Sequence, residues 1–250
     1  MRDITFITGD ACNLKEIKDS SIDLIITAPP YITVDVQRYG GDAKKQINHS
    51  QNRKKMVKLL LKATKEMERV LKPSGSILID IGHKMDLPYF YVSTVLEKTN
   101  LYLANPPFIW NYQSDKYFYE KEKMKNTYGY WFHFVKDGHQ MYHNPFIVKK
   151  YNDNIWNIPW ENEKEEDVRK QLEAEGFILD AYNSEVAERF IKMFSKPGHT
   201  VLDSFGGTGT TAVTAWINDR NAISYDISEE QTKVAEKRMN IFKEIIKNEK

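Results

Sequence analysis

Hydrophobic positions along the chain follow two alternating rhythms. Short runs rich in β-branched residues at 4–8, 22–27 and 76–81, each closed by Gly, Pro or Asp, read as strands. Between them, residues 53–71 repeat apolar side chains every three to four positions (Met56, Leu59, Leu60, Ala63, Met67, Val70, Leu71). This is the period of an amphipathic helix, and Pro73 and Gly75 stop it. Residues 76–81 are also apolar at consecutive positions, as in a strand covered on both faces. A helix is expected over 88–98, and a strand-like run over 101–112 is broken by Pro106-Pro107. Residues 130–135 and 140–148 flank Lys136-Asp137-Gly138-His139 and predict a β-hairpin turning at Asp-Gly. Residues 184–195 form another amphipathic helix, closed by Pro197-Gly198. The chain then reads strand (200–205), glycine turn (206–209), helix to Asn218, strand (222–227) and a last helix from Glu229. Residues 33–52 have no apolar period and read as a long loop; 156–160 read as irregular.

Strands alternating with helices predict an α/β fold, a mostly parallel sheet with helices on both faces and the antiparallel hairpin at one edge. The order of elements adds a constraint. After Asp226 only enough chain remains for one helix, and a two-stranded sheet cannot bury itself. Strands from the N-terminal half must therefore pair beside the last two. Residues 4–8 are expected next to the strand ending in Asp226, which brings Gly9-Asp10 to the same carboxyl-end cleft.

A length of 250 residues suits a single domain, 1–250, with one sizeable core. No apolar run approaches the roughly 18 residues of a membrane-spanning helix, and no secretory leader is visible, so no membrane partner and a cytoplasmic location are expected. Cys12 is the single cysteine, which excludes an internal disulfide and a multi-cysteine zinc site. His133, His139 and His143 lack metal-ligand spacing, so no metal is expected. Trp110, Trp131, Trp156 and Trp160 read as core or docking aromatics. The formal charge of +1 hides an asymmetry. Residues 33–72 carry eleven bases against four acids, whereas 161–175 carry seven acids against three bases.

Two motifs carry chemistry. The first is Asp203-Ser204-Phe205-Gly206-Gly207-Thr208-Gly209-Thr210-Thr211, followed by Asp226 at the end of the next strand. Glycines at a strand-to-helix turn let a ligand approach the backbone, and the acid is placed to accept hydrogen bonds from ribose hydroxyls. Gly207-x-Gly209-x-x-Ala212 also fits a relaxed dinucleotide fingerprint, so a nicotinamide cofactor and S-adenosylmethionine both remain open at this point. The second is Thr27-Ala28-Pro29-Pro30-Tyr31. A buried strand ending in Pro-Pro loses two backbone donors, stiffens, and leaves carbonyls directed into the cleft beside a tyrosine ring.

Together, in this order, the motifs resemble the S-adenosylmethionine-dependent amino-group DNA methyltransferases, in the permuted arrangement with Pro-Pro-Tyr ahead of Phe-x-Gly-x-Gly. The likeness also includes Gly9-Asp10-Ala11, the segment from Arg69 to Ser76, and Ala187-Glu188-Arg189-Phe190-Ile191-Lys192. It implies a Rossmann-like class I methyltransferase fold. It also implies that Phe205, Gly207 and Gly209 line the methionine side of the cofactor, that Asp226 holds the ribose and that Asp10 meets the adenine amino group. Ala11, Asp203, Thr210 and Thr211 join that cofactor set, and Asn183 and Ser184 would reach the methionine carboxylate. Ala28, Pro29, Pro30 and Tyr31 would form the catalytic pocket for the target base. Two positions depart from the pattern. Ala28 stands where Asp, Asn or Ser usually offers a side-chain acceptor, and Asn183-Ser184 stands where His-Pro is frequent.

The resemblance implies site-specific methylation of double-stranded DNA, with N4 of cytosine preferred because Thr27-Ala28-Pro29-Pro30-Tyr31 lies nearer the family's Thr-Ser-Pro-Pro-Tyr form. N6-adenine methylation, RNA methylation and an inactive cofactor- and nucleic-acid-binding protein are the alternatives. Lys44, Lys45, Arg53, Lys54 and Lys55, in and beside a loop over 33–55, are expected to meet phosphates. Residues 111–127, with Lys116 and Lys123, are the candidate for sequence readout. A cognate restriction endonuclease and a homodimer are possible associations.

Overall fold

The computed structural model describes residues 2–29, 53–81, 87–112, 128–160, 162, 165–177, 179 and 181–248. Strands among them are β1 (Ile4–Thr8), β2 (Ile22–Thr27), β3 (Leu71–Asp80), β4 (Leu101–Leu103), β5 (Phe108–Asn111), β6 (Tyr128–Lys136), β7 (Ile155–Asn157), β8 (Thr200–Asp203) and β9 (Asn221–Asp226). The helices are α1 (Arg53–Val70), α2 (Leu87–Lys98), α3 (Pro145–Lys150), α4 (Glu166–Ala174), α5 (Ser184–Phe194), α6 (Thr210–Ile217) and α7 (Glu229–Asn248). No described helix is long and apolar enough to cross a membrane.

The strands form one sheet in the order β1-β9-β8-β2-β3-β6-β5-β7, with β4 on β6. From β1 to β3 all pairs are parallel, and β1 lies on β9 with Thr8 level with Asp226, as the chain order requires. β6 runs antiparallel to β3, β4 and β5. This is a Rossmann-like α/β sheet. Its middle strands are its most apolar: Leu24, Ile25 and Ile26 on β2 and Leu78 and Ile79 on β3 are fully buried, because helices cover both faces. Ile25, Ile77, Ile79, Phe132 and Phe134 face Met56, Leu60, Ala63 and Met67 of α1 and Tyr91 and Val95 of α2. Leu24, Ile26, Leu78, Trp131 and Val201 face Val186, Phe190 and Ile191 of α5 and Ala212 and Ala215 of α6. Trp110, Trp131 and Trp156 are core residues, each 3% exposed or less.

Three expectations are corrected. The antiparallel partners of β6 are β3, β4 and β5, and 140–148 is no hairpin arm. Asn144 caps α3 by accepting from the Phe146 and Ile147 amides, with Pro145 in the first turn. Upstream, the Tyr142 amide bonds Ser74 O and the Asn144 amide bonds Met193 O, so this stretch crosses to other elements. The first helix ends at Val70, and Leu71 already pairs with Ile22 in β3. The Pro73–Gly75 step is an irregularity inside that strand, where the register shifts. The residues around 155–175 contain β7 and α4, which the apolar pattern did not reveal.

Candidate active site at the carboxyl ends of the sheet

Strand order locates the site. From β8 the chain passes through α6 to β9, toward one edge; from β2 it passes through α1 to β3, toward the other. β8 and β2 are neighbours, so the order reverses between them, and open α/β sheets bind ligands in the crevice outside the carboxyl ends at such a point. The glycine turn follows β8, and Ala28-Pro29 follows β2. Both motifs therefore open onto one crevice.

Side chains stitch the two strand ends together. The Thr27 hydroxyl donates to Asp203 Oδ1 at 2.7 Å, and the Thr211 hydroxyl donates to Asp203 Oδ2 at 2.6 Å. The Phe205 amide meets both Thr27 Oγ1 and Asp203 Oδ1 at 3.1 Å, and the Tyr182 and Thr211 hydroxyls are 2.8 Å apart. Asp203 is 3% exposed, and burial pushes its carboxyl up to about 6 against the pull of these donors. Its side chain thus holds the turn's frame. Tyr182 is a site residue that the sequence reading missed, and Thr27, quoted there as the first residue of the Pro-Pro-Tyr motif, was given no role of its own.

The turn itself is cradle-shaped. Gly207 and Gly209 have φ of +49° and +84°, a region L side chains rarely adopt. A Cβ on Gly209 would come within 2.9 Å of Ala235, whereas one on Gly207 would meet nothing within 4 Å. Gly207 therefore presents bare backbone to open space. From behind, buried Arg238 of α7 donates to Thr208 O at 3.1 Å and to Thr210 Oγ1 at 2.9 Å, and pairs with buried Glu165. Thr210 and Thr211 are both turned inward in this way.

Asp226 closes the next strand. Its Oδ2 accepts from the Gly207 amide and its Oδ1 from the Ser228 amide, each at 2.8 Å, and burial raises its carboxyl above the ordinary range. The Gly9 amide bonds Asp226 O at 2.7 Å, so exposed Asp10 and buried Ala11 follow at the adjacent strand end. A pyrophosphate would compete with the Asp226 carboxylate for the Gly207 amide, which disfavours a dinucleotide. A nucleoside offering hydroxyls to that carboxylate suffers no such conflict.

Asn183 is the N-cap of α5, accepting from the Glu185 amide at 2.9 Å and donating to Pro159 O at 3.0 Å, and Ser184 accepts from Asn162. Their side chains serve local structure, while the hydroxyl of the neighbouring Tyr182 meets buried Thr211. Half-buried Ala28 and buried Pro29 are placed at the β2 end. Pro30, Tyr31, Lys44, Lys45, Lys116 and Lys123 lie outside the described residues. Arg53 opens α1, and Lys54 and Lys55 follow it, exposed, at the carboxyl rim where a β2–α1–β3 crossover must begin its helix. At the other end of the rim, Glu229 and Glu230 open α7. Buried His133 is held between Asn105 and Ser76, and desolvation pushes its imidazole down to about 3. No group of three or more His, Cys, Asp or Glu able to hold a metal occurs among the described residues.

A family model described as DNA methylase matches residues 22–237. Type II methyltransferase M.MthZI of Methanothermobacter thermautotrophicus is 27% identical, over 92% of this chain and 75% of its own. DNA adenine methyltransferase YhdJ of Escherichia coli is 26% identical, over 95% and 83%. Among solved structures, the cytosine-N4-specific PvuII DNA methyltransferase superposes with a TM-score of 0.77 at 22% identity, covering 95% of this chain and 86% of that one.

Proposed function

The chain belongs to the DNA methylase family, whose members methylate cytosine N4 or adenine N6, and on that premise we propose that it acts on a base turned out of duplex DNA, with N4 of cytosine preferred. The observation that carries this reading is the bond between Thr27 and Asp203, which joins the end of the Pro-Pro-Tyr strand to the end of the glycine-turn strand.

S-Adenosylmethionine fits the crevice. Gly207 offers open backbone, Asp226 a carboxylate for ribose hydroxyls, and Asp10 at the adjacent strand end an acceptor for an adenine amino group. When bound, it supplies an electrophilic methyl group on a sulfonium. The protein's own part is to bind and orient. An exocyclic amino group is a weak nucleophile, because its lone pair is delocalised into the ring. Carbonyls at Ala28 and Pro29 accept the amino hydrogens and hold the nitrogen pyramidal. Tyr31 stacks on the extruded base and favours the positive charge developing there. Alignment of this kind supplies roughly 7–11 kcal/mol of barrier lowering.

DNA approaches from the basic side of the rim, where Arg53, Lys54 and Lys55 open α1 and Lys44 and Lys45 precede it; Lys116 and Lys123 belong to the readout segment. The acidic start of α7 disfavours phosphates at the other side. The cytosine preference is supported by the form of Thr27-Ala28-Pro29-Pro30-Tyr31. Adenine N6 is the second reading, favoured by the likeness to an adenine methyltransferase over 95% of this chain. Action in the cytoplasm, within a restriction–modification pair and as a homodimer completes the reading. The test is incubation with methyl-labelled cofactor and genomic DNA, then mass spectrometry of the nucleosides. N4-methylcytosine supports the preference, N6-methyladenine the second reading, and label on neither refutes both.

A further inference from the structure

Aromatic side chains gather where α2 begins. In its first turn Tyr89 is 72% exposed and Phe90 45% exposed, and Tyr128, the first residue of β6, is 38% exposed. Tyr128, Tyr130 and Phe132 alternate along β6 and so share the sheet face that α2 covers. The Tyr128 and Tyr130 rings meet edge to face, 5.2 Å apart, and the Tyr130 and Phe132 rings follow at 6.2 Å. The hydrogen bond with Tyr128, burial and the nearby phenol of Tyr89 together push the Tyr130 phenol up to about 12. Three tyrosines from two elements thus converge on one edge.

This edge belongs to the rim that carries the candidate site. β3 ends at Asp80, opposite Trp131, and Tyr128 stands three positions farther out on β6, about 10 Å beyond. β6 is two strands from β2, so the tyrosines lie roughly 10 Å to the side of Ala28 and Pro29. α1 flanks them, because the Tyr91 hydroxyl of α2 and the Thr64 hydroxyl of α1 are 2.6 Å apart. Residues 53–65 of α1 carry six bases and no acid, and residues 87–96 of α2 carry no charge. Exposed aromatic rings beside a row of exposed lysines suit a polyanion that also presents apolar faces. A second copy docked isologously through this edge would set two lysine rows against each other. Duplex DNA, whose backbone alternates phosphates with sugar rings, is the partner that the charge selects.

We propose that Tyr89 and Tyr128 are DNA-backbone contacts, their hydroxyls donating to phosphates and their rings packing on the sugars of one strand beside the target base. Tyr130 braces Tyr128 from behind. This edge rests on the DNA methyltransferase reading above and adds a neutral grip next to the lysines. An offset of roughly 10 Å corresponds to about three base steps of 3.4 Å, so the contacted phosphates lie to one side of the target. A neutral phenol displaces no counterion. Its contribution, unlike that of Lys54 and Lys55, is therefore independent of salt.

The test measures affinity for a duplex bearing the mapped site, across a salt series. The proteins compared are the intact chain, Tyr89→Ala, Tyr128→Ala, the double alanine variant and Tyr89→Phe/Tyr128→Phe. Affinity for S-adenosylmethionine and mass in solution are recorded alongside. Each single alanine variant is expected to bind DNA about tenfold more weakly or worse, with the log–log salt slope and the donor affinity unchanged. The phenylalanine variant keeps its rings and is expected to fall between these and the intact protein. Single neutral methylphosphonates are then placed at each phosphate within about five base steps of the target. On one side, one or two of them should weaken the intact protein yet weaken the phenylalanine variant no further. If alanine unfolds the protein, the phenylalanine variant decides alone. Three results would each overturn the edge and leave the function standing. These are unchanged DNA affinity in the double variants, a loss that comes with an altered salt slope or solution mass, and methylphosphonate effects equal in both proteins at every position. An intact protein that neither binds duplex DNA nor transfers a methyl group would overturn the function, and this edge with it.

Discussion

Thr27 and Asp203 stand 176 positions apart in the chain and 2.7 Å apart in space, hydroxyl to carboxylate, at the reversal point of the sheet. Because the carboxylate is buried, each of its donors matters more than it would at the surface. Replacing Thr27 by Val keeps the shape and removes a donor. The expected cost is about 1–3 kcal/mol of stability, read by denaturant unfolding, with a weaker affinity for S-adenosylmethionine because Phe205 and the glycine turn lose their anchor.

Asp203 also imposes a pH dependence of known sign. Burial raises its carboxyl from 3.8 to about 6, so the folded protein holds a proton there that the unfolded chain has released. Its contribution to stability is largest below about 4 and is lost as pH rises through about 6. Asparagine can still accept from Thr27, and Thr211 can turn its proton to Ile26 O, 3.2 Å away. Unfolding free energies of the parent and Asp203→Asn, measured from pH 4 to pH 7, should diverge in favour of the variant as pH rises. Parallel curves would mean that the carboxyl titrates normally.

Gly206 and Gly207 separate packing from ligand space. A Cβ at Gly206 would fall 1.9 Å from Ser224 Oγ, whereas one at Gly207 meets no protein atom within 4 Å. Gly206→Ala should therefore lower the melting temperature. Gly207→Ala should lose only the roughly 1–2 kcal/mol of its left-handed backbone yet bind S-adenosylmethionine at least about tenfold more weakly. Calorimetric titration beside thermal melts distinguishes the two.

Phosphate contacts at the start of α1 should appear in the salt dependence. Affinity for duplex DNA should fall steeply with added salt, and Lys54→Gln/Lys55→Gln should reduce the log–log slope by about 2. An unchanged slope would move the DNA off this rim.

Much of the fold was legible because its signals are local. β-Branched runs bounded by Gly, Pro and Asp marked β1, β2, β8 and β9 closely, and the chain order alone placed β1 on β9. The expected arm over 140–148 failed because apolar residues at Tyr142, Phe146, Ile147 and Val148 imitate a strand. Asn144-Pro145, a helix-start signal, outweighed them. α4 escaped because its packing rests on Val168 and Leu172 alone, one turn apart in an acidic stretch. In the site, the glycine turn and the β2 end announced themselves through residue types needed at special backbone positions. Thr27, Tyr182 and Arg238 did not, because their roles arise only where distant segments meet, and a buried arginine on an amphipathic helix reads as an ordinary surface charge.

On the proposed function donor and target base share the crevice between β8 and β2, and a crystal structure with S-adenosylmethionine bound tests this most directly. The expected result places the ribose on Asp226 and the sulfonium methyl facing the Ala28 and Pro29 carbonyls, with room between them for one nucleobase. A donor bound away from Gly207, or a methyl group directed away from β2, would contradict it.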